Sequence, residues 1–240
     1  KPIGSGYDGL TVDLNTKEIR NISLESASDE EIKDTIKVMG GEDWELWIEE
    51  LMKRDLLAQG FITTNYTYIG SEVTWPIYNQ GTIGRAKEDL ERAARAISQK
   101  SSKKEGAAYL AVMKGLVTQA ASAIPGMSVY LSLLFKVMKD KNLHEGCIEQ
   151  AYRLFSEELY SGAKINIDQL GRIRLDTYEL LKEVQEYVSE NWSNFNIDTM
   201  DRIADFEGYR KDFMQIYGFD FENVDYDKEV SPDSEMTLYP

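Results

Sequence analysis

The sequence has little of what disulfide-bonded, metal-binding and membrane-spanning proteins require. It holds one cysteine and one histidine in 240 residues, and no uninterrupted apolar run reaches the roughly 18 residues that a membrane helix needs. Cys147 alone cannot form an internal disulfide, and a typical zinc site takes several ligands, mostly Cys and His. We therefore expect no metal site and no membrane span. Since no basic-then-apolar signal segment opens the chain, we expect a soluble protein of the cytoplasm.

Positive charge is also scarce. The 27 Lys and Arg residues face 42 Asp and Glu residues, and the resulting net charge of -15 repels phosphate backbones and anionic lipid surfaces. The basic residues form no cluster, so we expect no nucleic-acid partner.

A hydrophobic content of 42% suffices for a large buried core. No linker divides the chain, so we predict a single α/β domain over residues 1–240, which ends in an acid-rich tail over residues 219–240.

The N-terminal part of the chain predicts a hairpin and two helices. Residues 10–24 alternate apolar and polar side chains around Asn15, which predicts a polar hairpin outside the core. Ser28 followed by Glu31 matches a capping box, and the helix that it opens stops at Gly40. A second helix follows, with one apolar face formed by Trp44, Trp47, Ile48 and Leu51.

The middle of the chain predicts a parallel sheet. Residues 61–69 are rich in β-branched and aromatic side chains and end at a glycine, as strands often do. A helical pattern follows over residues 86–97, and residues 106–115 then form a near-continuous apolar run between two glycines. Such a run is typical of a strand covered on both faces, so the three segments predict a βαβ unit.

Beyond Pro125 the pattern is mainly helical. An apolar stripe predicts a buried or half-buried helix, and residues 146–160 predict another. Residues 164–175 alternate like a hairpin with Gly171 in its turn, and two more helices precede the tail. The stripe consists of Met127, Tyr130, Leu131, Leu134, Val137 and Met138.

Two short motifs suggest chemistry but lack the residues that would complete it. His144 and Cys147 are too few for a metal site, and a nucleophilic Cys–His pair also needs mutual contact and an orienting third group. We expect a buried structural cysteine beside a helix-capping histidine. Residues 4–6, Gly-Ser-Gly, resemble a fragment of a phosphate loop, but no strand precedes them and no amphipathic helix follows. We predict an ordinary loop there.

The segment "YNQGTIGRAK" places Tyr78 and Lys87 nine positions apart. On a continuous helix that spacing is a rotation of about 900° and a rise of about 13.5 Å, so the two side chains meet only if the backbone turns between them. Gly81 and Gly84 permit such a turn, with Lys87 in the first turn of the next helix. The loop follows the carboxyl end of a predicted strand, where open α/β sheets bind ligands.

These two residues allow two interpretations. A lysine close to a phenol lowers the pKa of the phenol and so gives an acid that can protonate a developing enolate oxygen. The alternative is a core Tyr78 and a surface Lys87 without a shared function.

Four segments resemble the trans-2-enoyl-CoA reductases and their relatives, the FabV-type enoyl-acyl carrier protein reductases. They read "YTYIGSEVTWPIYNQGTIGRAKEDL", "KGLVTQAASAIP", "LFKVMKDKNLHEGCIEQAYRLF" and "VMGGEDWELWIEEL", and the resemblance runs from residue 1 to about residue 228. It implies a divergent short-chain dehydrogenase/reductase. We therefore expect an α/β fold, the C-terminal part of a Rossmann-like parallel sheet flanked by helices, with small β-hairpin additions. The implied activity, typical of fatty acid biosynthesis, is reduction of the C2–C3 double bond of trans-2-enoyl thioesters by NADH.

The resemblance also implies roles for individual residues. A Tyr and a Lys separated by eight residues form the catalytic signature of the family, and Tyr78 and Lys87 match it. Tyr78 is then the proton donor to the thioester enolate, Lys87 contacts the nicotinamide ribose, and Tyr68 hydrogen-bonds the substrate carbonyl. Phenols aimed at that oxygen would stabilise charge where it develops. The nicotinamide is lined by Leu116, Val117 and Thr118.

The sequence departs from the family in three ways. Ser71 stands where the family usually has proline, and Met113 where it usually has asparagine, whose hydrogen bonds a methionine cannot replace. The part of the family that carries the first strands and the glycine-rich pyrophosphate turn does not occur in these 240 residues. Because the two predicted strands would otherwise need new edge partners, we expect that part to exist in the molecule.

The implied partners are small acyl thioesters of CoA or acyl carrier protein. Acyl carrier proteins are acidic, so a net charge of -15 favours CoA, and we expect a monomer. The alternative is a non-catalytic binding or scaffold domain, or an inactive fragment, that has retained the fold.

Overall fold

The structure, a computed structural model, describes residues 1–231, which contain five strands and nine α-helices. The strands are β1 (Tyr7–Val12), β2 (Ile19–Leu24), β3 (Ile62–Thr67), β4 (Ala107–Val112) and β5 (Arg172–Arg174). The helices are α1 (Asp29–Met39), α2 (Glu42–Lys53), α3 (Thr82–Lys100), α4 (Gln119–Ala123), α5 (Met127–Asp140), α6 (Cys147–Arg153), α7 (Lys182–Trp192), α8 (Met200–Ile203) and α9 (Phe206–Ile216).

A parallel sheet in the order β3–β4–β5 is the centre of the fold. The helix α3 joins β3 to β4, so the predicted βαβ unit and the α/β fold class are confirmed. The strands β3 and β4 pair from Ile62 opposite Ala107 to Thr67 opposite Val112. Because β4 is apolar on both faces, it can be covered on both sides, as the sequence predicted.

Each face of the sheet packs against its own apolar cluster. On one face, α2 and α3 cover β4 with Trp44, Ile48, Leu90 and Ile97. On the other, Leu154 begins a π-helical extension of α6, Leu154–Leu159, and packs with residues of β4 and β5.

The helix α5 forms the centre of a third and larger cluster. Its residues Tyr130, Leu131 and Met138 have no solvent exposure, because β1, α7, α8 and α9 contribute to the shell around it. The predicted apolar stripe is therefore a helix that is buried on nearly every side.

The predicted N-terminal hairpin is confirmed, with β1 and β2 antiparallel and Tyr7 opposite Leu24. The expectation that it stays outside the core is wrong, since Val12 and Leu14 are buried in the α5 cluster. The backbone N–H of Val12 donates to Ser128 Oγ at 2.9 Å, which ties the strand to α5. Alternation showed one apolar side of the hairpin, and this side is what packs on the helix.

The second predicted hairpin, over residues 164–175, is wrong. Only its end forms a strand, β5, and that strand pairs in parallel with β4. Gly171 lies in a turn with φ of 81°, as predicted, but the carboxylate of Asp168 holds this turn by accepting from the side chain and the backbone N–H of Arg172. The backbone of β5 therefore finds its hydrogen-bond partners on β4 and not on a local partner strand.

The helix predictions were mostly confirmed. The capping box of Ser28 and Glu31 opens α1, and α6 with its extension covers residues 147–159. Between β5 and the tail lie three helices rather than two, since the four-residue α8 was not predicted, and neither was α4. Residues 219–231 of the acidic tail contain no helix or strand, and Asp233 and Glu235 lie outside the described residues. None of the helices in residues 1–231 is long and apolar enough to cross a membrane.

Gly84 lets α3 begin directly beside the segment that carries Tyr78. Its N–H donates to the Tyr78 carbonyl oxygen at 3.0 Å, and a Cβ at Gly84 would lie 1.8 Å from the carbonyl oxygen of Asn79. Neither Gly81 nor Gly84 has a positive φ, so the predicted need for glycine flexibility is wrong. Glycine is needed at position 84 because the start of α3 lies too close to the backbone of Asn79 to leave room for a Cβ.

We predict that Gly84→Ala lowers the free energy of unfolding by about 1–3 kcal/mol, the usual cost of overpacking. Helix propensity alone would raise it by about 1 kcal/mol, so the sign separates the two effects. Urea unfolding measures the change. The exposed α3 substitution Glu88→Ala is the control and should stay within about 0.5 kcal/mol of wild type. A Gly84→Ala protein as stable as wild type would contradict the close contact.

Candidate active site

A cavity of about 440 Å³ opens at the carboxyl ends of β3 and β4. Its walls come from the residues that follow these strands, from the start of α3, and from α4 and the first turns of α5 and α6. This is the edge of a parallel sheet at which open α/β folds bind ligands. Of the residues selected from the sequence, those that line the cavity are Tyr68, Tyr78, Lys87, Leu116 and Thr118.

Val117 lies elsewhere. Its side chain is 8% exposed and belongs to the cluster around α5, while its carbonyl oxygen accepts a hydrogen bond from Cys147 Sγ at 3.5 Å. Any contact of Val117 with a cofactor would therefore come from its backbone.

The two tyrosines of the site are neighbours. The rings of Tyr68 and Tyr78 meet edge to face with centroids 5.1 Å apart. Tyr68 is the first residue after β3, whereas Tyr78 lies in the turns before α3, where its N–H donates to the Thr74 carbonyl oxygen at 3.0 Å. This T-shaped contact fixes the two phenols relative to each other.

Lys87 lies in the second turn of α3 rather than the predicted first turn, because the helix begins at Thr82. Within residues 1–231 its ammonium group has no hydrogen bond and no ion pair. Burial lowers the pKa of Lys87. A partly buried, unpaired lysine at a cavity is a group available to a ligand.

Burial raises the pKa of Tyr78 well above its ordinary value of 10. The expectation that Lys87 lowers this pKa is wrong for this structure, because the two groups form no hydrogen bond and desolvation acts alone. Tyr78 therefore keeps its proton at neutral pH, as a proton donor must.

Two buried charges beside the tyrosines were not selected from the sequence. Lys114 directly follows Met113 at the end of β4, is 1% exposed, donates to the Gly115 carbonyl oxygen at 2.8 Å and stands over the Phe135 ring. A lysine at the end of an apolar strand was a signal that could have identified it. Burial lowers the pKa of Lys114 to about 8.

Glu179 gave no such signal. It lies in the turns between β5 and α7, 111 residues from Tyr68, and has no solvent exposure. Its carboxylate accepts from Tyr68 Oη at 2.8 Å, from Tyr130 Oη at 2.5 Å and from the Gly115 N–H at 2.5 Å. No spacing rule connects these residues, and only the fold brings them together.

Of the two positions at which a residue departs from the family, Met113 lies at the cavity and Ser71 does not line it. Met113 lines it and donates its N–H to the Thr67 carbonyl oxygen at 2.9 Å. Ser71 is buried, and its hydroxyl has no hydrogen-bond partner in the described residues. Met113 leaves the cavity wall at this point apolar, where an asparagine would offer an amide.

The expected roles of Cys147 and His144 are wrong. Cys147 is exposed, begins α6 and lines the cavity, so it is not a buried structural cysteine. His144 does not cap a helix, since the cap of α6 is Gly146; its ring packs against Phe135 with centroids 4.3 Å apart. Among residues 1–231, no cluster of three or more Cys, His, Asp or Glu could hold a metal ion.

We predict that His144 makes the fold sensitive to acid. Burial lowers its pKa from 6.5 to about 4, so below pH 6.5 the unfolded chain binds a proton that the folded chain does not. Because this proton stabilises only the unfolded chain, the free energy of unfolding is highest above pH 6.5 and falls as the pH drops from 6.5 towards 4. Urea unfolding at several pH values should show a smaller loss for His144→Gln than for wild type. Equal losses in the two proteins would contradict this assignment.

Two family models match the chain. Residues 1–160 match one described as the trans-2-enoyl-CoA reductase catalytic region, and residues 167–230 match one described as the enoyl reductase FAD binding domain.

This chain is also similar to curated enoyl reductases and to solved structures of such enzymes. An enoyl-acyl-carrier-protein reductase (NADH) of Saccharophagus degradans is 48% identical over 99% of this chain and 60% of its own length. A trans-2-enoyl-CoA reductase (NADH) of Ruminiclostridium cellulolyticum is 48% identical over 96% of this chain and 58% of its own. The crystal structure of Clostridium acetobutulicum trans-2-enoyl-CoA reductase with NADH has a TM-score of 0.93 at 46% identity, over 96% of this chain and 58% of that one. The chain thus spans about 60% of the length of these relatives.

Proposed function

Because this chain belongs to the trans-2-enoyl-CoA reductase family, we propose that it carries the active site for NADH-dependent reduction of trans-2-enoyl thioesters. The observation that supports this most strongly is the placement of Tyr68, Tyr78 and Lys87 around one cavity at the carboxyl edge of the sheet. A neutral phenol, a second phenol and an unpaired lysine are what this reduction requires of a protein.

The residues present fit the nicotinamide end of NADH. Lys87, whose ammonium group has no partner among residues 1–231, can bind the ribose hydroxyls, and Thr118 keeps a hydroxyl hydrogen after accepting the Ala121 N–H at 3.0 Å. Leu116 and Met113 offer an apolar wall for the ring. Within residues 1–231, no strand followed by a glycine-rich turn and a helix offers a place for the pyrophosphate.

The match to a flavin-binding model does not change this proposal. Residues 167–230 contribute no residue to the wall of this cavity; Glu179 among them binds Tyr68, and Arg172 lines a smaller cavity that Tyr68 and Tyr78 also line. We therefore assign no chemical step to a flavin.

The protein residues act on the thioester carbonyl. NADH, when bound, supplies a hydride to C3 of the substrate, which moves negative charge to the carbonyl oxygen. Phenol hydrogens placed at that oxygen stabilise the charge in a site with little water. Tyr78 is the proton donor to that oxygen, and burial keeps its hydroxyl protonated beforehand. Lys87 would hold the cofactor ribose and so keep the nicotinamide against the substrate.

The cavity wall suits an acyl chain. Away from the tyrosines it is lined by apolar side chains that exclude water, among them Ile83, Met113, Leu116, Ile124 and Met127.

We place the enzyme in the cytoplasm, among the short-chain dehydrogenase/reductases and in fatty acid biosynthesis, as a monomer. The net charge of -15 favours CoA thioesters over those of the acidic acyl carrier proteins.

We predict that Tyr78→Phe lowers kcat for crotonyl-CoA with NADH by about 10²- to 10⁴-fold, the usual contribution of a general acid. The substitution keeps the ring and its contact with Tyr68, so circular dichroism should be unchanged. Tyr109→Phe, on β4 and away from the cavity, is the matched control and should keep full activity. If Tyr78→Phe turns over at the wild-type rate, Tyr78 is not the proton donor.

A further inference from the structure

The hydroxyl of Tyr68 is already engaged by a buried carboxylate. We propose that Glu179 is a positioning residue: Tyr68 can donate to the thioester carbonyl only while Glu179 carries a proton, so thioester binding is coupled to proton uptake at Glu179. This inference rests on the proposed function, since it concerns the same site and substrate.

The ionised form of Glu179 uses the hydrogen of Tyr68. A carboxylate has no hydrogen to give, so the contacts of 2.8 Å to Tyr68 and 2.5 Å to Tyr130 require both phenols to donate. The Tyr68 oxygen then offers only lone pairs to any other group. A carbonyl oxygen is also an acceptor, and it gains no hydrogen bond from Tyr68 in this state.

The Tyr68 hydroxyl lies within reach of the cavity. Tyr68 and Gly115 both line it, and a Cβ added to Gly115 would lie 3.5 Å from Tyr68 Oη. Neither Glu179 nor Tyr130 lines the cavity. Glu179 therefore acts on a ligand through Tyr68 and not by contact.

A proton on Glu179 reverses this hydrogen bond. Oε2 is held by the Gly115 N–H at 2.5 Å, so the proton belongs on Oε1, which both phenols contact. Tyr130 can still donate to a lone pair of Oε1, while the new hydrogen points to Tyr68. Tyr68 then accepts from Glu179 and is free to donate its own hydrogen to the carbonyl oxygen.

The surroundings of Glu179 make proton uptake accessible. Burial raises its pKa, while hydrogen bonds from Tyr130, Gly115 and Tyr68 and the charge of Lys114 oppose this rise. Burial also raises the pKa of both tyrosines and lowers that of Lys114 to about 8.

These are the titratable groups that face Glu179, from the ends of β3 and β4 and from α5. From α7 it meets the neutral side chain of Gln185, which donates to the Glu179 carbonyl oxygen at 2.7 Å. Binding of the thioester withdraws the Tyr68 donor from the carboxylate and so shifts Glu179 towards its protonated form.

The substitution Glu179→Gln tests the inference, because an amide resembles the protonated acid. Its oxygen accepts the Gly115 N–H, and its nitrogen donates to Tyr68 and Tyr130, which fixes Tyr68 in the donating direction. The complete protein with NADH is titrated with butyryl-CoA, which has the carbonyl but no double bond to reduce. Calorimetry in buffers of different ionisation enthalpy gives the protons taken up.

We expect uptake approaching one proton per site for wild type at pH values where Glu179 is ionised, and none for Glu179→Gln. For wild type, kcat/KM with crotonyl-CoA should fall about tenfold per pH unit above the pKa of Glu179. That decline should be absent in Glu179→Gln, with turnover retained. A merely structural glutamate would not move this part of the pH profile.

Two further variants control the result. Glu145→Gln removes another acid near Lys114, one that binds Arg153 and Gln150 rather than Tyr68, and should keep wild-type proton uptake. Tyr68→Phe keeps the ring and removes the link between ligand and acid, so its proton uptake should be lost. This variant decides the matter if Glu179→Gln does not fold.

The possible outcomes are distinct. Equal proton uptake in wild type and Glu179→Gln, no uptake by wild type, or a folded Glu179→Gln protein without activity each overturns the inference and leaves the proposed function intact. Uptake that persists in Tyr68→Phe also overturns it. A wild type that neither binds butyryl-CoA nor reduces crotonyl-CoA overturns the proposed function, and the inference with it.

Discussion

The register of two parallel strands is the constraint on which the site depends. β3 and β4 pair with Thr67 opposite Val112, and Met113 continues this ladder through its bond to the Thr67 carbonyl oxygen. One step further, Tyr68 and Lys114 leave the sheet at the same edge, beside the Gly115 N–H that holds Glu179. A slip of one residue in this register would therefore move Tyr68 relative to Gly115 and break the contact of its hydroxyl with Glu179.

Desolvation governs the chemistry of this edge more than charge pairing does. The apolar packing of α5 and α3 removes water from the two tyrosines and from Lys87 and Lys114. Burial raises the pKa of Tyr68 and Tyr78 and lowers that of the two lysines, so in each case it favours the uncharged form. An uncharged phenol is a donor that gains most when negative charge forms beside it. Glu179 follows the same direction, since burial raises its pKa, although hydrogen bonds from Tyr130, Gly115 and Tyr68 oppose this rise.

Local periodicity predicted β3, α3 and β4, because strands and helices each leave a pattern in adjacent residues. The spacing of Tyr78 and Lys87 left two interpretations open, and the roles of these residues came from the resemblance to the reductase family. Local periodicity could not predict the contact of Tyr68 with Glu179, since 111 residues separate them and the turns before α7 have no periodicity. The same limit explains the second hairpin. Alternation over residues 164–175 shows an extended chain, but the partner of β5 is β4, far away in the sequence. Cys147 was misjudged because composition gives burial on average and not at one helix end.

The central claim is that two phenols meet the thioester carbonyl at the carboxyl edge of β3. A crystal structure of the complete protein with NADH and butyryl-CoA tests it most directly. We expect the carbonyl oxygen to lie about 2.6–3.2 Å from the hydroxyl oxygens of both Tyr68 and Tyr78, with Lys87 at the ribose. A carbonyl oxygen bound away from both tyrosines, in a complex that is competent for turnover, would contradict the assignment of this site.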